Sequence, residues 1–459
     1  MPDTLAARFR LTPAQDSAFG EHARRLGHDP GQLTGDAELV SYPSLPTVAA
    51  VRALPAATAA QRRRRQGLFF GPSIAIRRTI GQGVHDRVEA AVFADGQVSP
   101  ADEARASMHF PFPTRILSVR GRCVGPGECW DLSVRGGHWG LDDRDDILNV
   151  VNIGSLRLAP DAIVAVRGNL LILIVQRLIC EASGQLAILP TPFSVDSRTG
   201  PLHGPGGPAG RDGADGADGV AAPVAPTWLG CDRLTAPVVP GACDARDGGP
   251  GGDGRDGVRG RNGGTSKIAE ITIGELTGSL TLVATAGRGG DGGSGGAGGR
   301  GGHGGRGADG QRTVQGILPP GRGGSGGNGG AGGRGGRGGD GGISSNVFVS
   351  LPPDQEGRLR VLSHPSPGGG GGRGGRGGLG GRGGRGGLGG SGGSPAGAAG
   401  TAGSDGADGA AGHDGRARPA PPVFVNERLA VPLPDPAAVR PAGTVTSRDT
   451  RRGESSAAN

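Results

Sequence analysis

Aromatic residues are scarce in this 459-residue chain, at 3% of positions. A large conventional core is possible only where aliphatic residues cluster, and they do so between about Thr114 and Val195. Long apolar runs are missing too. The longest, Leu170–Val175 with Leu178 and Ile179, is far too short to span a bilayer. The polar, helix-patterned stretch from Met1 to Leu26 lacks the apolar centre of a secretory leader, so neither Sec export nor a membrane span is expected. Five cysteines are too few for a disulfide-dense scaffold. Cys123 with Cys129, and Cys231 with Cys243, are spaced to bridge loops in an oxidising place or to remain free thiols. The nine histidines show no catalytic or metal-ligand spacing, and no glycine loop has the strand–loop–helix context of a phosphate site. No catalytic residue, cofactor or metal ligand is expected, and the chain reads as non-enzymatic.

Glycine is what the chain has in abundance. There are 99 Gly and 36 Pro, together about 29% of the residues, a level that without pattern would indicate a low-complexity chain. Here the glycines are phased. Six blocks repeat Gly at every third position: Gly204–Gly219, Gly248–Gly263, Gly287–Gly310, Gly321–Gly342, Gly368–Gly393 and Gly397–Gly415. Blocks three to five are Gly-Gly-X, and the others are mostly Gly-X-Y. A period of three points to extended helices with three residues per turn and no internal hydrogen bonds, whose N–H and C=O groups need neighbours. Such helices approach closely only along faces without side chains. Gly-Gly-X helices, with two bare faces, suit the inside of a bundle, and Gly-X-Y helices suit its rim.

The expected fold is therefore mainly β with a glycine-rich region. A β-rich N-terminal half is joined to a bundle of polyglycine-II and polyproline-II helices, with short strand pairs between them. The alternative is a collagen-like triple helix in a trimer. The boundaries read as 1–110, mixed helical and irregular; 111–200, a β-rich sandwich or short solenoid; 201–418, the glycine bundle; and 419–459, a Pro-, Ala- and Arg-rich tail. In the first part, Thr12-Pro13-Ala14-Gln15 predicts a capped helix to about Leu26. A second helix is expected over Ala56–Gln66, ending at Gly67, and a short one from Ser99. The connectors Ile268–Ala284 and Val347–Leu362 read as strand pairs that repeat a strand, turn, strand, glycine-block order.

The Gly-Gly-X rows with Gly-X-Y rims resemble the glycine-rich phage tail-fibre adhesins and snow-flea-type antifreeze proteins. The first, second and sixth blocks also resemble bacterial collagen-like proteins. The resemblance is one of repeat pattern over about 204–415. It implies a structural or adhesive protein, with a rigid bundle displayed on a β-rich platform. It also implies an extracellular, cell-surface or virion-associated place and a surface receptor or polysaccharide as partner. A homo-oligomer is compatible with it.

The glycines expected to pack backbone on backbone are Gly290, Gly293, Gly296, Gly299, Gly326, Gly329, Gly336, Gly377, Gly380 and Gly386. The alternative function is RNA or other polyanion binding through the Arg-Gly-Gly rows at Arg334, Arg337, Arg373, Arg376, Arg382 and Arg385. No aromatic side chain is interleaved there to stack on bases. Ice binding ranks third, because the rows carry Arg and Asp. Residues 287–393 hold 13 Arg against 5 Asp and Glu, whereas 397–415 hold 3 Asp and no Arg or Lys. Acidic rim blocks are accordingly expected beside basic inner ones. The acidic group Asp142, Asp143, Asp145 and Asp146, the basic run Arg62–Arg65 and the single Gly251–Val258 match to a calcium-roll repeat read as solvated loop, solvated face and chance match.

Overall fold

The computed structural model describes residues 10–70, 93, 110–141, 146–182, 184–191, 203–228, 230–390 and 395–430. The first helix, α1 (Pro13–Arg25), begins where its cap predicts. Thr12 Oγ1 accepts the Gln15 N–H, and the Gln15 side chain returns to the Thr12 N–H. Phe19 and Ala23 on its buried face pack with Leu33. Strands β1 (Glu38–Ser41) and β2 (Ser44–Leu45) follow, then α2 (Val48–Arg52), capped by Thr47, and α3 (Ala59–Phe70). Helix α3 runs through Gly67. A lone glycine costs a helix only about 1 kcal/mol and ends it only where the chain turns left-handed. The helix expected from Ser99 lies outside the described residues.

From Phe112 the chain winds in flattened coils. Strand β3 (Phe112–Val124) turns at Gly125–Glu128 into β4 (Cys129–Asp131); β5 (Leu148–Leu158) leads to β6 (Ile163–Arg167), and β7 (Leu170–Cys180) to β8 (Gly184–Leu189). Strands β3, β5 and β7 stack in parallel in one sheet, and β4, β6 and β8 do so in a second. Alternation sorts the side chains. Leu171, Leu173 and Val175 face the core between the sheets, and Leu170, Ile172 and Ile174 face a second core under Leu26, Val51, Leu54 and Phe112.

The glycine-rich half continues the same two sheets. Between its blocks lie β9 (Val224–Pro226), β10 (Asp232–Leu234), β11 (Ala269–Ile273), β12 (Leu276–Thr277), β13 (Leu280–Thr285), β14 (Gln311–Thr313), β15 (Gly316–Leu318), β16 (Val347–Ser350), β17 (Leu359–His364), β18 (Val423–Val425) and β19 (Arg428–Leu429). In the first sheet β11 pairs in parallel with β7 and with β16, which pairs with β18. In the second sheet β13 lies between β8 and β17, again parallel. Strands β9, β10, β14 and β15 form a separate small sheet.

These pairings correct the expected fold class. Among the described residues the regular structure is dominated by 19 strands in three sheets, and neither a polyglycine-II helix bundle nor a collagen helix is assigned to the glycine blocks. The connectors are not strand pairs either: β11 and β13 belong to different sheets, as do β16 and β17. The reason is burial. An isolated two-stranded ribbon is marginal in water, whereas Ile271, Leu282 and Val349 enter the core shared by both sheets. Strands from the 201–418 segment thus extend the sheets of the 111–200 segment, and the glycine blocks are excursions from them. Each leaves the second sheet after β8, β13 or β17 and returns to the first at β11, β16 or β18.

Candidate functional site

Each excursion is an out-and-back pair of extended glycine segments, and three of them lie against one another as an arm. The bonds between segments recur at every third residue. Gly204, Gly207 and Gly210 donate to the carbonyls of Asp291, Ser294 and Ala297; Gly292, Gly295 and Gly298 donate to Gly370, Arg373 and Arg376. Segments one, three and five are joined in this way, and so are two, four and six: Gly251 donates to Asn328, and Gly326 to Thr401. Bonds such as Gly324 N–H to Gly305 C=O, 3.0 Å, tie the two columns together. Block three is bonded to one, two, four and five, and block four to two, three, five and six. Of the three Gly-Gly-X blocks, three and four therefore have four neighbours each and five has three, while blocks one and six have two. Backbone groups that a glycine chain would leave to water are paired with other segments of the same chain.

The predicted packing glycines lie in these contacts. Gly290, Gly293, Gly296, Gly299 and Gly336 are buried; Gly326, Gly329, Gly377, Gly380 and Gly386 are half-buried. A Cβ on Gly329 would collide with the carbonyl oxygen of Gly378, and one on Gly336 with that of Val258. Only a residue without a side chain permits that approach.

The predicted arginines do not form one site. Blocks three and four touch through bare glycine sides, so their side-chain rows point away from each other. Arg334 and Arg337 stand in the row of block four, on the face shared with blocks two and six. Arg373, Arg376, Arg382 and Arg385 stand in the row of block five, on the opposite face with blocks one and three. Arg337 pairs with Asp340 at 3.2 Å.

The acidic side chains do something that charge counting does not foresee. Block six does lie beside the arginine-bearing block five, but its carboxylates bind backbone. Asp405, Asp408 and Asp414 accept the N–H groups of Gly380, Gly377 and Gly371 at 2.7–2.8 Å. Asp212, Asp215 and Asp218 of block one accept those of Arg300, His303 and Arg306, and Asp253 and Asp256 those of Ala331 and Arg334, at 2.6–2.7 Å. The N–H groups capped in blocks three and four belong to the side-chain-bearing residues, those capped in block five to glycines, and no glycine carbonyl reaches either set. The sequence signal was the phase: aspartate recurs at the third position of Gly-X-Y. The calcium-roll match at Gly251–Val258 is accounted for by the same caps.

Three further aspartates have carboxyls held below the usual carboxylate range. For Asp291 the cause is first the Gly370 N–H, then Arg288 and His203; for Asp309 it is the Leu388 N–H, then Arg306. For Asp340 partial burial pushes upward, but the Arg416 N–H with Arg337 and Arg418 outweighs it.

The remaining sequence candidates are placed as follows. Arg65 is buried rather than solvated: Nη1 bonds Glu270 Oε2 at 2.6 Å, and the guanidinium lies 4.6 Å from the Phe348 ring centroid. Arg64 reaches Glu427 at 3.8 Å. Asp146 pairs with Lys267, and Asp142, Asp143 and Asp145 lie outside the described residues. All five cysteines are free thiols, with Cys180 buried. Among the described residues no group of three His, Cys, Asp or Glu is arranged to hold a metal, and no helix is long and apolar enough to cross a membrane. A cleft of about 440 Å³ lies between Tyr42, Arg115, Ser133 and His138, with the Tyr42 and His138 rings stacked at 4.0 Å. The small third sheet carries Trp228, 91% exposed, with Val314 and Ile317 also exposed. It joins the turns of the first two excursions, at the end of the arm away from the two large sheets.

The chain matches no family model, no characterised protein and no solved structure with which it was compared.

Proposed function

We propose that the protein is a non-enzymatic structural or adhesive protein in which a glycine-rich arm is carried on stacked parallel β-coils. The observation that carries this reading is the backbone cross-linking of all six segments, one hydrogen bond per triplet along each contact. A chain this rich in glycine loses much backbone entropy on ordering, and this bonding offsets it in a form that resists bending. Twenty-four residues of extended chain reach about 70 Å, so the arm spaces its far turns well away from the coils. Exposed Trp228 sits on those turns, where a display function needs its recognition residues. The repeat-pattern resemblance to glycine-rich tail-fibre adhesins supports a cell-surface or virion setting and a surface receptor or polysaccharide as partner.

The test is adhesion of the full chain, coated on beads, to a panel of cells and surface polysaccharides, with hydrolase and transferase assays in parallel. Adhesion lost on Trp228→Ser with no turnover supports the reading. Turnover abolished by a single substitution overturns it.

A further inference from the structure

The two long faces of the arm differ in charge pattern. On the face of blocks two, four and six, the row of block four reads Arg322, Ser325, Asn328, Ala331, Arg334, Arg337. Asp244 and Asp247 just ahead of block two, and Asp253 and Asp256 within it, cap Arg322, Ser325, Ala331 and Arg334 along that row. On the opposite face, the row of block five reads Arg373, Arg376, Leu379, Arg382, Arg385, Leu388, an Arg-Arg-Leu unit given twice. All six side chains are exposed, with Leu379 at 56% and Leu388 at 62%. In the adjoining row of block three no carboxylate lies between Asp291 and Asp309, and that stretch adds exposed Arg300, His303 and Arg306. Asp212, Asp215 and Asp218 of block one cap the N–H groups of those three residues, so these carboxylates border block three on the side away from block five. The register is fixed by backbone: Gly304 donates to the Arg382 carbonyl at 2.9 Å, and the Arg382 N–H is capped by His303 Nδ1 at 2.9 Å. The carboxylates of block six stay on the far edge of block five, bound to Gly371, Gly377 and Gly380.

We propose that this ridge is a docking surface for a linear acidic polysaccharide. The proposal rests on the adhesive reading above and names its partner. Within each pair the arginines are three extended residues apart, about 9 Å, a spacing that lets every second ring of a polyuronate set its carboxylate against an arginine. The leucines between the arginine pairs offer apolar surface to the C–H faces of pyranose rings. A nucleic acid is less well served, because neither row has an aromatic side chain on which a base could stack. The ridge is held by its backbone, so binding spends little freedom on ordering the site beyond the arginine side chains themselves.

The experiment is calorimetric titration of the full chain with polygalacturonate and separately with oligo(dT), each at low and at physiological salt. Arg376→Gln with Arg382→Gln should weaken polygalacturonate binding about tenfold. Arg322→Gln with Arg334→Gln, on the opposite face, should leave it unchanged. Arg376→Lys with Arg382→Lys keeps the charge and should retain most of the affinity, which separates a charge effect from a folding defect. The proposal is overturned by an absence of polygalacturonate binding, by equal losses in the two glutamine variants, or by tighter binding of oligo(dT). In any of those cases bead adhesion through Trp228 would still stand or fall on its own assay.

Discussion

Asp408 Oδ1 accepts the backbone N–H of Gly377 at 2.8 Å, and with this bond the side chain of the last glycine segment closes an edge of the arm. Asn262 and Asn328 make the same contact to Asp340 and Ser404, at 2.9 and 3.0 Å. What the position requires is an acceptor oxygen, not a charge. Asp408→Asn should therefore leave thermal stability nearly unchanged, while Asp408→Ala should lower it by about 0.5–1 kcal/mol. Equal melting curves for the two variants, followed by circular dichroism, would show that the cap contributes nothing.

Acid should loosen the arm in a defined window. Asp291, Asp309 and Asp340 have folded-state values below the ordinary one. Their contribution is present above about pH 4 and is lost as pH falls through the lowered folded values, because the unfolded chain takes up the proton first. In denaturation midpoints, a first decline from about pH 6.5 belongs to the half-buried His22 and the buried His28, whose folded values desolvation holds below the ordinary one, and the aspartates add a further decline below about pH 4. A decline already complete above pH 5 would assign the effect to other groups.

Gly329→Val and Gly336→Val should each disrupt the arm. The added carbons meet the Gly378 and Val258 carbonyls, and separating two segments leaves several backbone groups without partners, at about 1–3 kcal/mol each. Ser325→Val is the control. Ser325 is a side-chain-bearing residue on the outward row, with its N–H capped by Asp247. Hydrogen exchange would show fast amides through blocks three to five in the glycine variants alone.

Removing one member of the buried pair Arg65–Glu270 should be costly. Both side chains are 1% exposed, and an orphaned charge at such a site destabilises by about 3–5 kcal/mol. Arg65→Met, which leaves the Glu270 carboxylate without its cation, should thus be worse than Arg65→Met combined with Glu270→Leu, whereas Glu270→Leu alone leaves Arg65 beside Glu427 at 3.4 Å. Chemical denaturation of the single and double variants measures the difference, and additive effects would deny the pairing.

The cysteines should divide by burial. Desolvation pushes the Cys180 thiol up to about 12, which leaves almost no thiolate at neutral pH. Cys123 and Cys129 are exposed and should react with a maleimide while Cys180 reacts only on unfolding. Mass spectrometry of the modified chain identifies the sites.

The parts of this molecule that were legible in its residues are those governed by local chemistry. The helix at Pro13 is announced by Thr12 and Gln15. The three-residue glycine phase follows from backbones that approach too closely for a Cβ, as at Gly329. Long-range pairing carries no such mark. Nothing around Ala269 points to Leu171, yet the two sit side by side in parallel strands, and the connectors consequently read as separate strand pairs. Charge misled in two ways. The aspartates of Gly-X-Asp triplets looked like partners for arginine although backbone N–H groups were the nearer donors. Arg65 looked like one of four solvated cations because the carboxylate that buries it, Glu270, is about 200 residues away. The arginine rows were visible, but their division between two faces depends on which glycine sides meet.

The repeat also has a consequence for how such a chain can change in length. Ala269 pairs with Val347, 78 positions on, and Ser325 meets Asp247 at the same offset. Coil and glycine excursion therefore share one tandem unit, and a duplication or excision of that unit adds or removes a layer of sheet and a layer of arm together. The number of units thus sets the thickness of the arm, and the number of triplets in each block sets its length.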